Sequence, residues 1–111
     1  MDFDEYEKLA AKTAHFDDRT EEYKLMYLAL GVAGEAGEVA EKIKKIMRND
    51  HGVVSKEKRE EVQKEIGDVL WYLSQLSRQL GFSFSSAAET NIAKLADRMA
   101  RNVITSEGDN R

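Results

Sequence analysis

The chain has no cysteine and no proline, and aromatics make up only 8% of its 111 residues. Without cysteine, disulfides and Cys-based zinc sites are excluded. Without proline there is no built-in helix breaker, and the supply of Ala, Glu, Lys and Leu favours long uninterrupted helices. Sustained period-2 alternation is also missing, so the expected fold class is all-α. No apolar run approaches the roughly 20 residues needed to span a bilayer. The opening Met1-Asp2-Phe3-Asp4-Glu5 lacks the basic-then-apolar order of a signal peptide. The expectation is a cytoplasmic protein with no membrane partner. A net charge of −4 argues against a nucleic-acid polymer as partner, although a nucleotide can be held if a divalent cation bridges the two. Hydrophobic residues at 41% and charged residues at 34% suit one ordered domain over residues 1–111.

Four helices are expected. The first runs from Phe3 to Ala14, with Phe3, Tyr6, Ala10 and Thr13 on one stripe, and His15 to Arg19 is a polar connection. Thr20 caps a long second helix ending at Asn49, and Ser55 caps a third that runs to Leu80. Gly81 stands where a helix-ending glycine adopts positive φ. Ser86 with Glu89 has the spacing of a capping box and predicts a fourth helix reaching Asn102. The polar tail 105–111 reads as flexible. Val62, Ile66, Val69, Leu73, Leu76 and Leu80 form a helical seam on the third helix. Val32, Ala36, Val39, Ile43 and Ile46 do the same on the second. Leu25 to Leu30 is apolar nearly all the way round and needs cover on every side. That points to burial against a second subunit.

The chemistry is concentrated in two acidic pairs. Glu35 and Glu38 lie three residues apart on the second helix, as do Glu65 and Asp68 on the third. Each pair shares a helix face, and each acid immediately precedes a seam residue. Both pairs therefore flank the apolar seam from the same side, and packing through the seam would converge four carboxylates at its edge. Alone that convergence is unfavourable, and Mg²⁺, a hard cation that takes oxygen ligands, would relieve it. The alternative is a set of solvated glutamates on Glu-rich helices. Glu41 and Glu61 extend the acidic faces as secondary candidates, although Glu41 can instead pair with Lys44 or Lys45. Gly31, Gly34, Gly37 and Gly67 fall inside helices at a cost of about 1 kcal/mol each relative to Ala. Close helix packing and room for a metal with its waters both account for them.

Cationic and aromatic groups complement the acids. Asn91, Lys94 and Arg98 share a face of the fourth helix, with Arg101 continuing it, and could contact phosphates. Lys42, Lys44, Lys45 and Arg48 are explained by the dipole at their helix C-terminus. Trp71 and Tyr72 could stack on a nucleobase or serve as core. His15 and His51 complete no Glu-x-x-His pair, which disfavours di-iron chemistry. A Walker-type P-loop and a G-x-S-x-G turn are absent from the sequence.

Gly34-Glu35-Ala36-Gly37-Glu38-Val39-Ala40-Glu41 and Glu65-Ile66-Gly67-Asp68-Val69-Leu70-Trp71-Tyr72-Leu73 resemble the two signature blocks of the MazG-like all-α nucleotide pyrophosphohydrolases. Those blocks read E-x-x-E and then E-x-x-D. Asn91-Ile92-Ala93-Lys94-Leu95 with Arg98 resembles a third, weaker block, and the resemblance spans roughly Leu25 to Arg101. It implies a helical domain acting as a homodimer or homotetramer, with Mg²⁺ (Mn²⁺ as a substitute) supporting cleavage of nucleoside triphosphates between the α- and β-phosphates. It also implies that Glu35, Glu38, Glu65 and Asp68 are metal ligands and that Asn91, Lys94 and Arg98 contact the triphosphate; a carboxylate not fully engaged with metal, Glu35 or Glu38, would then act as general base. Alternatives are a dUTP- or dCTP-specific enzyme, hydrolysis of an alarmone or of phosphoribosyl-ATP, and a non-catalytic helical oligomerisation module.

Overall fold

The computed structural model describes residues 1–16 and 18–102, so the tail expected at 105–111 lies outside the described residues. Its order is α1 (Phe3–Ala11), α2 (Glu21–Asn49), α3 (Lys56–Leu80) and α4 (Phe84–Ala100). The architecture is all-α. Among the described residues no helix is long and apolar enough to cross a membrane.

Local chemistry sets the helix ends. Thr20 Oγ1 accepts from the Tyr23 amide at 3.1 Å and Ser55 Oγ from the Lys58 amide at 3.2 Å, as expected of N-caps. Asp2 caps α1 through the Glu5 amide at 2.8 Å. At the far end of α3, Gly81 has φ +88°, and the amides of Gly81 and Phe82 turn back onto the carbonyls of Arg78 and Ser77. Two boundaries differ from expectation. α1 ends at Ala11, and Thr13 and Ala14 follow as tight turns onto the Ala10 and Ala11 carbonyls. α4 begins a turn before the predicted capping box, capped by Ser83 through the Ser86 amide at 3.0 Å. The earlier start buries Phe84 against the rings of Phe3 (4.7 Å) and Tyr6 (6.4 Å).

α2 and α3 form a long antiparallel hairpin, α1 packs on α3 and α4, and α4 packs on α3 and α1. The register of the hairpin is read from its contacts. Gln79 of α3 donates to Glu21 of α2, Tyr72 meets Gly31, and Glu61 lies 3.7 Å from Lys42. From Gly31 to Lys42 on α2 and from Tyr72 back to Glu61 on α3 the chain takes the same number of steps, which fixes the register of this part of the hairpin.

The α2 seam is partly buried, with Ile46 enclosed and Val32 and Val39 half-buried, but on α3 the line of contact is not the predicted apolar seam. On α3 it runs through Glu61, Glu65, Tyr72 and Gln79, one residue and about 100° away from Val62, Ile66, Leu73 and Leu80. Seam residues Ile43, Ile66, Leu73 and Leu80 are exposed, Ile66 and Leu80 each by 53%. Ala10, Leu28, Ile46 and Phe84 are the buried apolar residues among those described, while Ser74, Gln75, Ser77 and Arg98 are buried polar ones. The reason is directional: α2 occupies the polar stripe of α3, while α1 and α4 cover only part of the apolar one.

Candidate metal centre

At mid-hairpin the register brings Glu35 level with Asp68. Glu35, Glu65 and Asp68 each offer a carboxylate oxygen to one cluster, in which these atoms lie within 4.8 Å of one another. Glu35 and Glu65 are half-buried and Asp68 is exposed. Glu38 is level with Glu65 by the same register, but its carboxylate is exposed and stands outside this trio. Three of the four predicted ligands are thus brought together, inside the α2–α3 line of contact rather than at the edge of an apolar seam.

The electrostatics distinguish the trio from its neighbours. Burial, then the charges of Asp68, Glu65 and Glu38, push the Glu35 carboxyl above its ordinary value. The two secondary candidates are compensated. Glu41 lies 2.9 Å from Lys44 and 3.6 Å from Lys45, and the Lys44 hydrogen bond holds its carboxyl below the usual range. Glu61 lies 3.7 Å from Lys42 and 3.5 Å from Lys58. Among the described residues no Lys or Arg forms an ion pair with Glu35, Glu65 or Asp68. An all-carboxylate donor set without a basic partner fits a hard divalent cation such as Mg²⁺, which takes oxygen ligands and keeps several waters. Added methyl groups at Gly34, Gly37 and Gly67 would meet nothing within 4 Å, so the helix surfaces beside the acids are open.

The aromatic candidates are engaged within the chain. Trp71 Nε1 donates to Thr13 Oγ1 at 2.7 Å, and the indole meets the Tyr72 ring edge-on at 4.9 Å. Tyr72 lies on Gly31 and 6.1 Å from the Tyr27 ring. A hydrogen bond with Tyr27, then burial, then the charges of Tyr27, Glu35 and Asp68 push its phenol up to about 12. On α4, Asn91 is exposed, Lys94 is half-buried and Arg98 is buried. Lys94 and Arg98 have interactions within the chain, and α4 packs on α1 and α3 but not on α2.

Sequence reasoning passed over Tyr6. Burial, then the nearby Asp68 charge, hold its phenol above the ordinary value. Tyr6 also lines a hollow of about 610 Å³ with Phe3, Leu70, Ser85 and Ala88, which places an apolar recess next to the acidic cluster. The stripe of α1 was legible, but no spacing within α1 says which side of α3 it will meet.

The chain is 47% identical over 87 residues to the Gene 37 protein of Mycobacterium phage L5, covering 78% of this chain and 76% of that one. No solved structure matches. The MazG nucleotide pyrophosphohydrolase domain matches residues 24–102, a span containing all of α3 and both acidic pairs. A chain that sets E-x-x-E against E-x-x-D across one helical hairpin, and carries this domain over most of its length, belongs to the MazG nucleotide pyrophosphohydrolase family.

Proposed function

We propose that the protein hydrolyses nucleoside triphosphates to the monophosphate and pyrophosphate, breaking the bond between the α-phosphorus and its bridging oxygen. The observation that carries this reading is the trio at the centre of the hairpin, half-buried Glu35 and Glu65 with exposed Asp68, which has no basic partner among the described residues. These residues would hold Mg²⁺, with Mn²⁺ as a substitute. A bound divalent ion supplies phosphate charge neutralisation and alignment of the attacking water.

The remaining steps belong to the chain. Glu38, exposed beside the trio, takes the proton from the water that attacks the α-phosphorus; Glu35, held by its neighbours, is the other carboxylate able to do so. Asn91, Lys94 and Arg98 are the groups proposed to receive the triphosphate, and pyrophosphate leaves on their side. The recess at Tyr6, Phe3 and Leu70 offers an apolar surface to the nucleoside, while Trp71 and Tyr72 face it less readily because they tie α3 to Thr13 and Gly31. The exposed seam, with Ile43, Ile66 and Leu80 in water, supports a second copy of the chain as its cover, in a homodimer or homotetramer.

The test is incubation with a panel of ribo- and deoxyribonucleoside triphosphates and Mg²⁺, followed by chromatography. Monophosphate and pyrophosphate with no diphosphate is the expected result, and the fastest substrate names the base. Diphosphate as product would overturn the cleavage site. No turnover by any triphosphate, together with a melting temperature indifferent to Mg²⁺, would replace the enzyme with a non-catalytic helical module.

A further inference from the structure

Among the described residues, Gly31 is the one helical glycine that packing within the chain constrains. A methyl group built there would sit in the Tyr72 ring, with Cζ at 2.7 Å, whereas Gly34, Gly37 and Gly67 face open space. The ring rests directly on the α2 backbone, and it is held there from several directions. Tyr27, one turn before Gly31, places its ring 6.1 Å from that of Tyr72. Trp71 flanks the ring edge-on at 4.9 Å and is itself tied to Thr13, while Phe16 backs Tyr27 at 5.7 Å. An ordinary side chain at position 31 would force the helices apart, because interaxial distances of about 8–10 Å depend on the side chains at the contact.

The position of this contact relative to the acids gives it a consequence. One turn onward from Gly31 along α2 stands Glu35, and one turn back from Tyr72 along α3 stands Asp68. In the antiparallel register the same step leads from the ring contact to the carboxylate contact on both helices. The ring contact therefore lies one helical turn from the carboxylate contact on both helices, and the depth at which the ring seats bears on the gap across which the carboxylates meet.

We infer that Tyr72 seated on Gly31 is a spacer that sets the separation of α2 and α3 at Glu35, Glu65 and Asp68, and through it the affinity of the trio for a divalent ion. Both are positioning residues; neither touches substrate. The second half of the inference rests on the reading of the trio as a Mg²⁺ site, and the experiment separates the two.

The chain lacks cysteine, so spin labels can be placed singly at Ala40→Cys on α2 and Gln63→Cys on α3, both exposed and level in the register. Their separation is measured by double electron–electron resonance in the metal-free protein, diluted with unlabelled chain. Gly31→Ala should widen it by about 1 Å or more, and adding Tyr72→Ala, which removes the ring, should close it again. An unchanged separation in Gly31→Ala overturns the spacer. Calorimetry with Mn²⁺ supplies the second readout. Gly31→Ala should weaken binding about 10-fold or more, Gly31→Ala/Tyr72→Ala should recover part of the loss, and Tyr72→Phe, which keeps the ring, should bind within about 2-fold of the parent. A widened hairpin with unaltered affinity overturns the link to the metal. A parent chain that binds no Mn²⁺ or Mg²⁺, with the widening observed, overturns the metal reading of the trio and the link with it, and upholds the spacer.

Discussion

Glu35 and Glu41 stand six residues apart on one helix, yet their surroundings have opposite signs. Glu41 is embraced by Lys44 and Lys45, and across the hairpin Glu61 is shared between Lys42 and Lys58. Glu35 faces Glu65 and Asp68 instead. The end of the hairpin has settled its charge within the chain, while the middle has left it to be settled from outside. Two unit charges about 4 Å apart repel by roughly 1 kcal/mol in bulk water and by more where solvent is excluded. A hairpin that keeps three such groups together gains most from a cation. Acid content alone does not single out a site in a chain with 21 Asp and Glu residues; local charge balance does.

Substitution at the two places should sharpen this contrast most. Glu35→Gln or Asp68→Asn is expected to reduce Mg²⁺-dependent pyrophosphate release by more than about 100-fold while far-UV circular dichroism stays helical. Glu41→Gln should remain within about 3-fold of the parent, since it removes only an exposed ion pair. Equal losses at positions 35 and 41 would erase the distinction.

Metal-linked stability should show the next largest effect. At about 100 times its Kd, Mg²⁺ stabilises the folded state by about 2.7 kcal/mol, which for a domain of this size raises Tm by about 10 °C or more. Glu61→Gln should show the same rise and Glu65→Gln should lose most of it. A Tm gain surviving in Glu65→Gln would place the ion elsewhere.

The smallest effect is that of pH on the metal-free protein, and its sign differs between the two places. The Glu35 carboxyl titrates above its ordinary value when folded, so its favourable contribution is present in acid and lost as pH rises through that raised value. Glu41 titrates below its ordinary value, so its contribution is present at neutral pH and lost as pH falls through the lowered value. In urea titrations without metal, Glu35→Gln should be at least as stable as the parent at pH 7 and Glu41→Gln slightly less stable. Both differences should shrink towards acid pH. A destabilised Glu35→Gln at pH 7 would mean that the trio is compensated within the chain.

How legible the molecule was depended on how local each feature is. Thr20, Ser55 and Gly81 end their helices as read from sequence, because a cap is decided within one turn of backbone. The start of α4 was misread because Ser86–Glu89 matches the capping-box spacing, whereas burial of Phe84 against α1 favours Ser83. Tyr6 was legible only as a member of the α1 stripe, since its nearness to Asp68 depends on how α1 lies across α3.

The acidic pairs show the same division. Spacing of three along a helix is a property of the chain alone, so Glu35 with Glu38 and Glu65 with Asp68 were recognisable as shared faces before any fold was known. Periodicity identifies stripes on a helix but not which neighbour each stripe will meet. The tertiary structure turned α3 by about one residue, so that α2 meets the acidic line and the apolar seam of Ile66 and Leu80 faces outward. It decided which three carboxylates share a site and which glycine carries a tyrosine ring, because both follow from the register between two helices, which neither helix specifies by itself.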